Sequence, residues 1–129
     1  MDDFRGLRVV ANGQYPGCHS VEVIPDCYQL IWDSDKIGSG GNGGFQALNL
    51  VLRWGARRVI LTGVDCGGEH WHGAHGAGLH NPQQTTFDKW IRAFNNAAAD
   101  LKKRGVNVVN CSRQTALKCF PRARLEDVL

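Results

Sequence analysis

The chain predicts an α/β domain with a mostly parallel sheet. Three observations carry this. Apolar residues recur at helical spacing over residues 42–54 and again over 86–104. Continuous β-branched runs, Arg58–Val64 and Val106–Cys111, follow each of them. The resulting order, strand, loop, helix, strand, loop, helix, strand, calls for right-handed crossovers between parallel strands.

The elements follow in order. Leu7–Ala11 reads as a first strand closed by the turn signal Asn12-Gly13, and Ser20–Ile24 as a second ending at Pro25. Tyr28–Trp32 is compatible with strand or loop. A helix from about Asn42 to Trp54 has Phe45, Ala47, Leu48, Val51 and Leu52 as its apolar stripe, with Gly55 as its stop. Arg58–Val64 reads as a strand buried on both faces. Residues 66–86 show no periodicity and read as a long loop, a type that is commonly functional. The second helix, about Thr86 to Arg104, has Thr85 or Thr86 as its cap and Gly105 as its stop. Its buried face is Phe87, Trp90, Ile91, Phe94, Ala97, Ala98 and Leu101. Val106–Cys111 is another buried strand, and Leu125–Leu129 closes the domain.

With 129 residues, 43% apolar and 21% charged, the chain reads as one domain, residues 1–129, of ordinary globular composition. Its N-terminus lacks signal-peptide character and no apolar run approaches a membrane span, so the expectation is a cytoplasmic protein with no membrane partner. Five cysteines without a CxxC pair argue against a disulfide scaffold or a cysteine-based zinc knuckle. Cys111 and Cys119 read as small core residues. The formal charge of +3 is mild. Its basic groups, including Arg113, Lys118, Arg122 and Arg124, read as solvated surface rather than a nucleic-acid footprint.

Residues 38–44, Gly-Ser-Gly-Gly-Asn-Gly-Gly, run straight into the first helix. A glycine loop opening a helix presents unpaired N–H groups at the positive end of the helix dipole, which suits a phosphate or carboxylate. The candidate binding residues are Ser39, Gly40, Gly41, Asn42, Gly43 and Gly44, with the Asn42 amide available to a sugar hydroxyl or a base edge. The alternative is a flexible turn before a helix. No lysine stands where a P-loop needs one, and a GxGxxG forced onto Gly38, Gly40 and Gly43 lacks a leading strand.

Four of the five histidines fall between His70 and His80. His70, His72 and His75, with Asp65 or Glu69, could serve as bases, anion donors or metal ligands, or could simply be solvated. Asp65 suits holding a hydroxyl, orienting a histidine or capping the loop, and Trp71 suits stacking on a ring or anchoring the loop. Cys66 as a nucleophile has only its nearness to His70 in its favour. In a parallel sheet both loops open at the carboxyl edge of the strands.

Gly41–Leu50, Gly55–Asp65, His70-Trp71-His72-Gly73 and Asn110–Pro121 together resemble a family of small, often phage-encoded proteins. That family is distantly similar to archaeal-type hydroxymethylpterin pyrophosphokinases and bacterial lipooligosaccharide sialyltransferases. The resemblance implies a Rossmann-like fold and a phosphorylated, nucleotide-like ligand on the glycine loop. If the chain is an enzyme, the expectation is group transfer with His72 or His75 as base and with Asp65, His70 and Trp71 facing the ligand. Only some 37 residues precede the glycine loop, so the N-terminal half is shortened against that pattern. Two readings follow: a second subunit of a homo-oligomer completes the pocket, or the chain sequesters a nucleotide signal of host immunity in the host cytoplasm without transforming it. A metal-dependent hydrolase is a third, weaker reading. No cofactor is expected.

Overall fold

The computed structural model describes residues 4–68 and 81–129. Among them the chain forms β1 (Val9–Ala11), β2 (His19–Val21), β3 (Val23–Ile24), β4 (Ile37–Gly38), α1 (Gly43–Arg53), β5 (Arg58–Leu61), α2 (Gln84–Lys103) and β6 (Asn107–Asn110), then a 3-10 turn at Leu125–Asp127. The architecture is a small α/β mixture. The strands pair in parallel as β1 with β2, β3 with β4 and β5 with β6. No ladder joins one pair to the next among the described residues. No helix among them is long and apolar enough to cross a membrane.

Both helices fall where the apolar periodicity puts them. In α1 the stripe Phe45, Leu48 and Leu52 is buried, and α2 buries Ala93, Phe94, Ala97 and Leu101. The helices meet through aromatic edges: Phe45 stands T-shaped on Phe94 at 5.6 Å, and Phe94 on Phe120 at 6.4 Å. Leu61, Val108 and Leu117 complete this core. Each helix ends on paired backbone hydrogen bonds. Ala56 N–H donates to Val51 O at 3.1 Å and Val106 N–H to Leu101 O at 3.0 Å, the 6→1 bonds that satisfy last-turn carbonyls.

Several elements differ from expectation. The 58–64 run pairs only as far as Leu61 and is not buried on both faces; Arg58 is exposed and Val59 and Ile60 are half-buried. Its one ladder partner is β6, so the other edge of β5 carries no second strand among the described residues. Tyr28–Trp32, compatible with either strand or loop, is loop, with Leu30 buried in the core. Helix α2 begins at Gln84 with Gln83 as N-cap, and Thr85 and Thr86 lie in its first turn instead of capping it. Cys66 is the buried cysteine; Cys119 is half-buried and packs against the core as expected, and Cys111 is half-buried. Leu125–Leu129 does not close a core: Leu129 is 89% exposed.

Asn49 holds these parts in register. It sits fully buried on the apolar stripe of α1. Its Oδ1 accepts from Ile31 N at 3.0 Å and from Gly38 N at 2.9 Å, and its Nδ2 donates to Ile31 O at 2.9 Å. Removing that amide leaves two N–H donors and one carbonyl without a partner. Asn49→Leu therefore lowers unfolding free energy by about 3 kcal/mol despite its greater apolarity. Urea denaturation checks this, and an unchanged midpoint refutes the clamp.

Candidate functional site

The glycine loop is built from the inside out. Its early amides are spent on the protein. Ser39 N–H donates to Ile24 O at 3.2 Å, Gly40 N–H to Cys27 O at 2.9 Å and Asn42 N–H to Ser39 O at 3.2 Å. Asn42 is the N-cap of α1: its Oδ1 accepts from Phe45 N at 2.9 Å and its Nδ2 donates to Gly40 O at 3.1 Å. The Asn42 amide thus works within the loop rather than reaching out toward a ligand. The N–H groups of Gly41, Gly43 and Gly44 have no acceptor among the described residues. They lie at or just before the first turn of an 11-residue helix, where the dipole is positive.

Two glycines are demanded by geometry. Gly40 has φ +53°, and a Cβ there would lie 2.2 Å from the Phe45 ring. Gly41 has φ +75°, and a Cβ there would meet the Trp90 Nε1 at 3.0 Å and the Tyr28 ring at 3.7 Å. The loop is therefore bordered by an indole N–H and a phenol ring. Trp90 also stands T-shaped on Phe87 at 5.3 Å. Trp90 and Phe87, expected on the buried face of α2, are half-buried, at the end of the helix nearest the loop.

The carboxyl end of β5 abuts the same loop, since a Cβ on Gly44 would touch Val64 Cγ2 at 3.9 Å. Residues 62–65 are then fastened by the segment after β6. Val64 N–H donates to Ser112 Oγ at 2.9 Å and Thr115 Oγ1 donates to Val64 O at 2.8 Å. Ala116 N–H donates to Asp65 O at 2.7 Å. Asn110, fully buried, accepts from Ser112 N at 3.0 Å and donates to Thr115 Oγ1 at 3.2 Å. Its trace in the sequence is slight: two hydroxyl residues, Ser112 and Thr115, soon after an apolar strand.

Asp65 itself is exposed and lines a cleft of about 780 Å³ together with Thr62, Ser112, Arg113, Arg122 and Arg124. Glu69, His70, Trp71, His72 and His75, the histidine-loop candidates, lie outside the described residues. Among the described residues no cluster of three or more His, Cys, Asp or Glu could hold a metal.

Cys66 follows Asp65 in a left-handed conformation, φ +52°, with its side chain buried. Burial pushes its thiol up to about 11 from 9.0, helped by nearby Cys119 and Asp65. A thiol held protonated is a poor nucleophile at neutral pH, which argues against a role for Cys66 in attack. Burial raises Cys119 as well.

Comparison with known proteins brings no match: no family model fits the chain, and neither a curated protein nor a solved structure is similar to it.

Gly40→Ala is expected to cost about 2–4 kcal/mol through the ring clash and the left-handed φ. Gly43→Ala, with open space around it, should gain about 0.4–1 kcal/mol. Thermal unfolding of the two variants tests the loop geometry, and equal effects would contradict it. For Cys66 the folded value lies above the unfolded one. Its contribution to stability is therefore complete below pH 9.0 and lost as pH rises through about 11. Urea midpoints across that range should fall more steeply in the parent than in Cys66→Ala, and parallel curves would refute the assignment.

Proposed function

We propose that the chain binds a nucleotide-like, phosphorylated small molecule at the Gly38–Gly44 loop, with the histidine loop facing it. The observation that carries this reading is the set of N–H groups on Gly41, Gly43 and Gly44, left without acceptors among the described residues at the N-terminus of α1. An anion there gains charge-assisted hydrogen bonds together with the helix dipole. The Trp90 indole and the Tyr28 ring beside Gly41 offer an aromatic border for a base or sugar.

On this reading the domain is Rossmann-like, as the resembling family implies, and a second subunit of a homo-oligomer completes the pocket. Group transfer then falls to His72 or His75 as general base, with Asp65 orienting it and His70 and Trp71 touching the ligand. Sequestration of an intact nucleotide signal needs the same phosphate contacts and no base.

One experiment separates these outcomes. The protein is incubated with a panel of nucleoside phosphates and cyclic dinucleotides, denatured by heat, and the released compound is identified by mass spectrometry. A changed compound supports transfer and an intact one supports sequestration. Gly43→Glu places a carboxylate at the helix N-terminus, where it favours the fold and repels an anion. Retention should drop at least about tenfold with stability kept. If no phosphorylated compound is retained, or if the variant retains it equally, the reading fails.

A further inference from the structure

The cleft of about 780 Å³ at the carboxyl ends of β5 and β6 has the chemistry of a site in its own right. It is an open groove, with Asp65, Arg113, Arg122, Arg124 and Glu126 all exposed, and its volume is in the range of small-molecule sites. Arg113, Arg122 and Arg124 line it against two carboxylates, Asp65 and Glu126, so three positive charges less two negative leave an excess of one.

Arg122 is the fixed member. Its backbone bridges in parallel to Asn110, and Asn110 N–H donates to Pro121 O at 2.8 Å. Its Nη2 donates to Ser112 O at 2.8 Å and to Arg113 O at 3.0 Å. Two carbonyls therefore set the guanidinium plane, and the Nε and Nη1 donors have no partner among the described residues. A cation held in this way has already lost most of its side-chain freedom, which lowers the cost of gripping an anion. The Arg113 guanidinium likewise has no partner among the described residues, and Arg124 has only a 3.7 Å pair with exposed Glu126.

We infer that this cleft binds the phosphate ester of a small polyol, a sugar phosphate by class. Arg122, Arg113 and Arg124 receive the phosphate, and Asp65 accepts hydroxyl hydrogens. A dicarboxylate fits less well, because its second carboxylate would face Asp65 or Glu126. The inference does not rest on the glycine-loop reading, since Asp65 is the one residue named in both.

The test is calorimetric titration of the full chain with ribose 5-phosphate, inorganic phosphate and ribose. Ribose 5-phosphate should bind saturably and more tightly than either fragment. The double variant Arg113→Ala/Arg124→Ala should weaken it by about tenfold or more, the loss expected on removing charge-assisted contacts. Its urea midpoint should stay near the parent's. A charge-matched control, Lys89→Ala/Arg92→Ala on α2 outside the cleft, should bind like the parent. Absence of saturable binding, undiminished binding by the double variant, or equal loss in the control overturns the site. Inorganic phosphate binding as tightly as ribose 5-phosphate overturns the polyol assignment.

Discussion

The side-chain amide of Asn49 is the constraint from which the glycine loop takes its position. Strand β4 is two residues long, so its ladder with β3 supplies few hydrogen bonds. The Asn49 Oδ1 takes up the Gly38 N–H at 2.9 Å and so ties the last residue of that strand to the middle of α1. It accepts from Ile31 with the same oxygen, so the segment before β4 and its end are fastened to one point on the helix. Ser39, Gly40 and the Asn42 cap follow within four residues. The direction in which the helix presents its free amides is thus set by a buried polar group seven residues downstream of the cap. An apolar residue at position 49 could fill the space, but it could not specify the register.

A second amide, Asn110, does the equivalent work on the other side. With Ser112 and Thr115 it closes around Val64, whose N–H and carbonyl are both engaged by hydroxyls. No buried side-chain nitrogen or oxygen among the described residues lacks a partner. Polar networks satisfied to this degree select one packing among several, and the core of Phe45, Phe94 and Phe120 then supplies the cohesion. Val64 meets Gly44 of the loop, and the next residue, Asp65, lines the arginine-rich cleft.

The helices were legible because their signal is redundant. Phe45, Leu48 and Leu52 repeat at helical spacing, Asn42 is a good N-cap, and Gly55 and Gly105 mark both ends. The strands were less so. An apolar run such as Arg58–Val64 states that a segment is extended, but not how many neighbours it has; with β6 as its one ladder partner, β5 stops at Leu61 and stays partly exposed. Asn49 escaped notice because a polar residue on an apolar stripe reads as an interruption until its partners, 11 and 18 positions away, are known. The arginines at 113, 122 and 124 read as solvated surface for a related reason. What gathers them is the bridge from Asn110 to Arg122, a tertiary contact between residues without a shared period.

The loop's own bookkeeping limits how it can recognise a ligand. Seven residues, 38 to 44, carry seven backbone N–H groups. Those of Gly38, Ser39, Gly40 and Asn42 are taken up by Asn49, Ile24, Cys27 and Ser39, which leaves three without an acceptor among the described residues. A P-loop surrounds its phosphates with successive amides and adds a lysine; this loop has fewer donors and no such cation. It is rigid, because its inner amides are already committed, but it is thin. Three neutral donors and a helix dipole can orient one phosphate, yet they cannot by themselves distinguish one phosphorylated compound from another. Discrimination has to come from side chains at the rim, and the described ones nearest Gly41 are the Trp90 indole and the Tyr28 ring. On the proposed reading, specificity falls to the Trp90 indole near the amino end of α2 and to the Tyr28 ring rather than to the glycine loop itself.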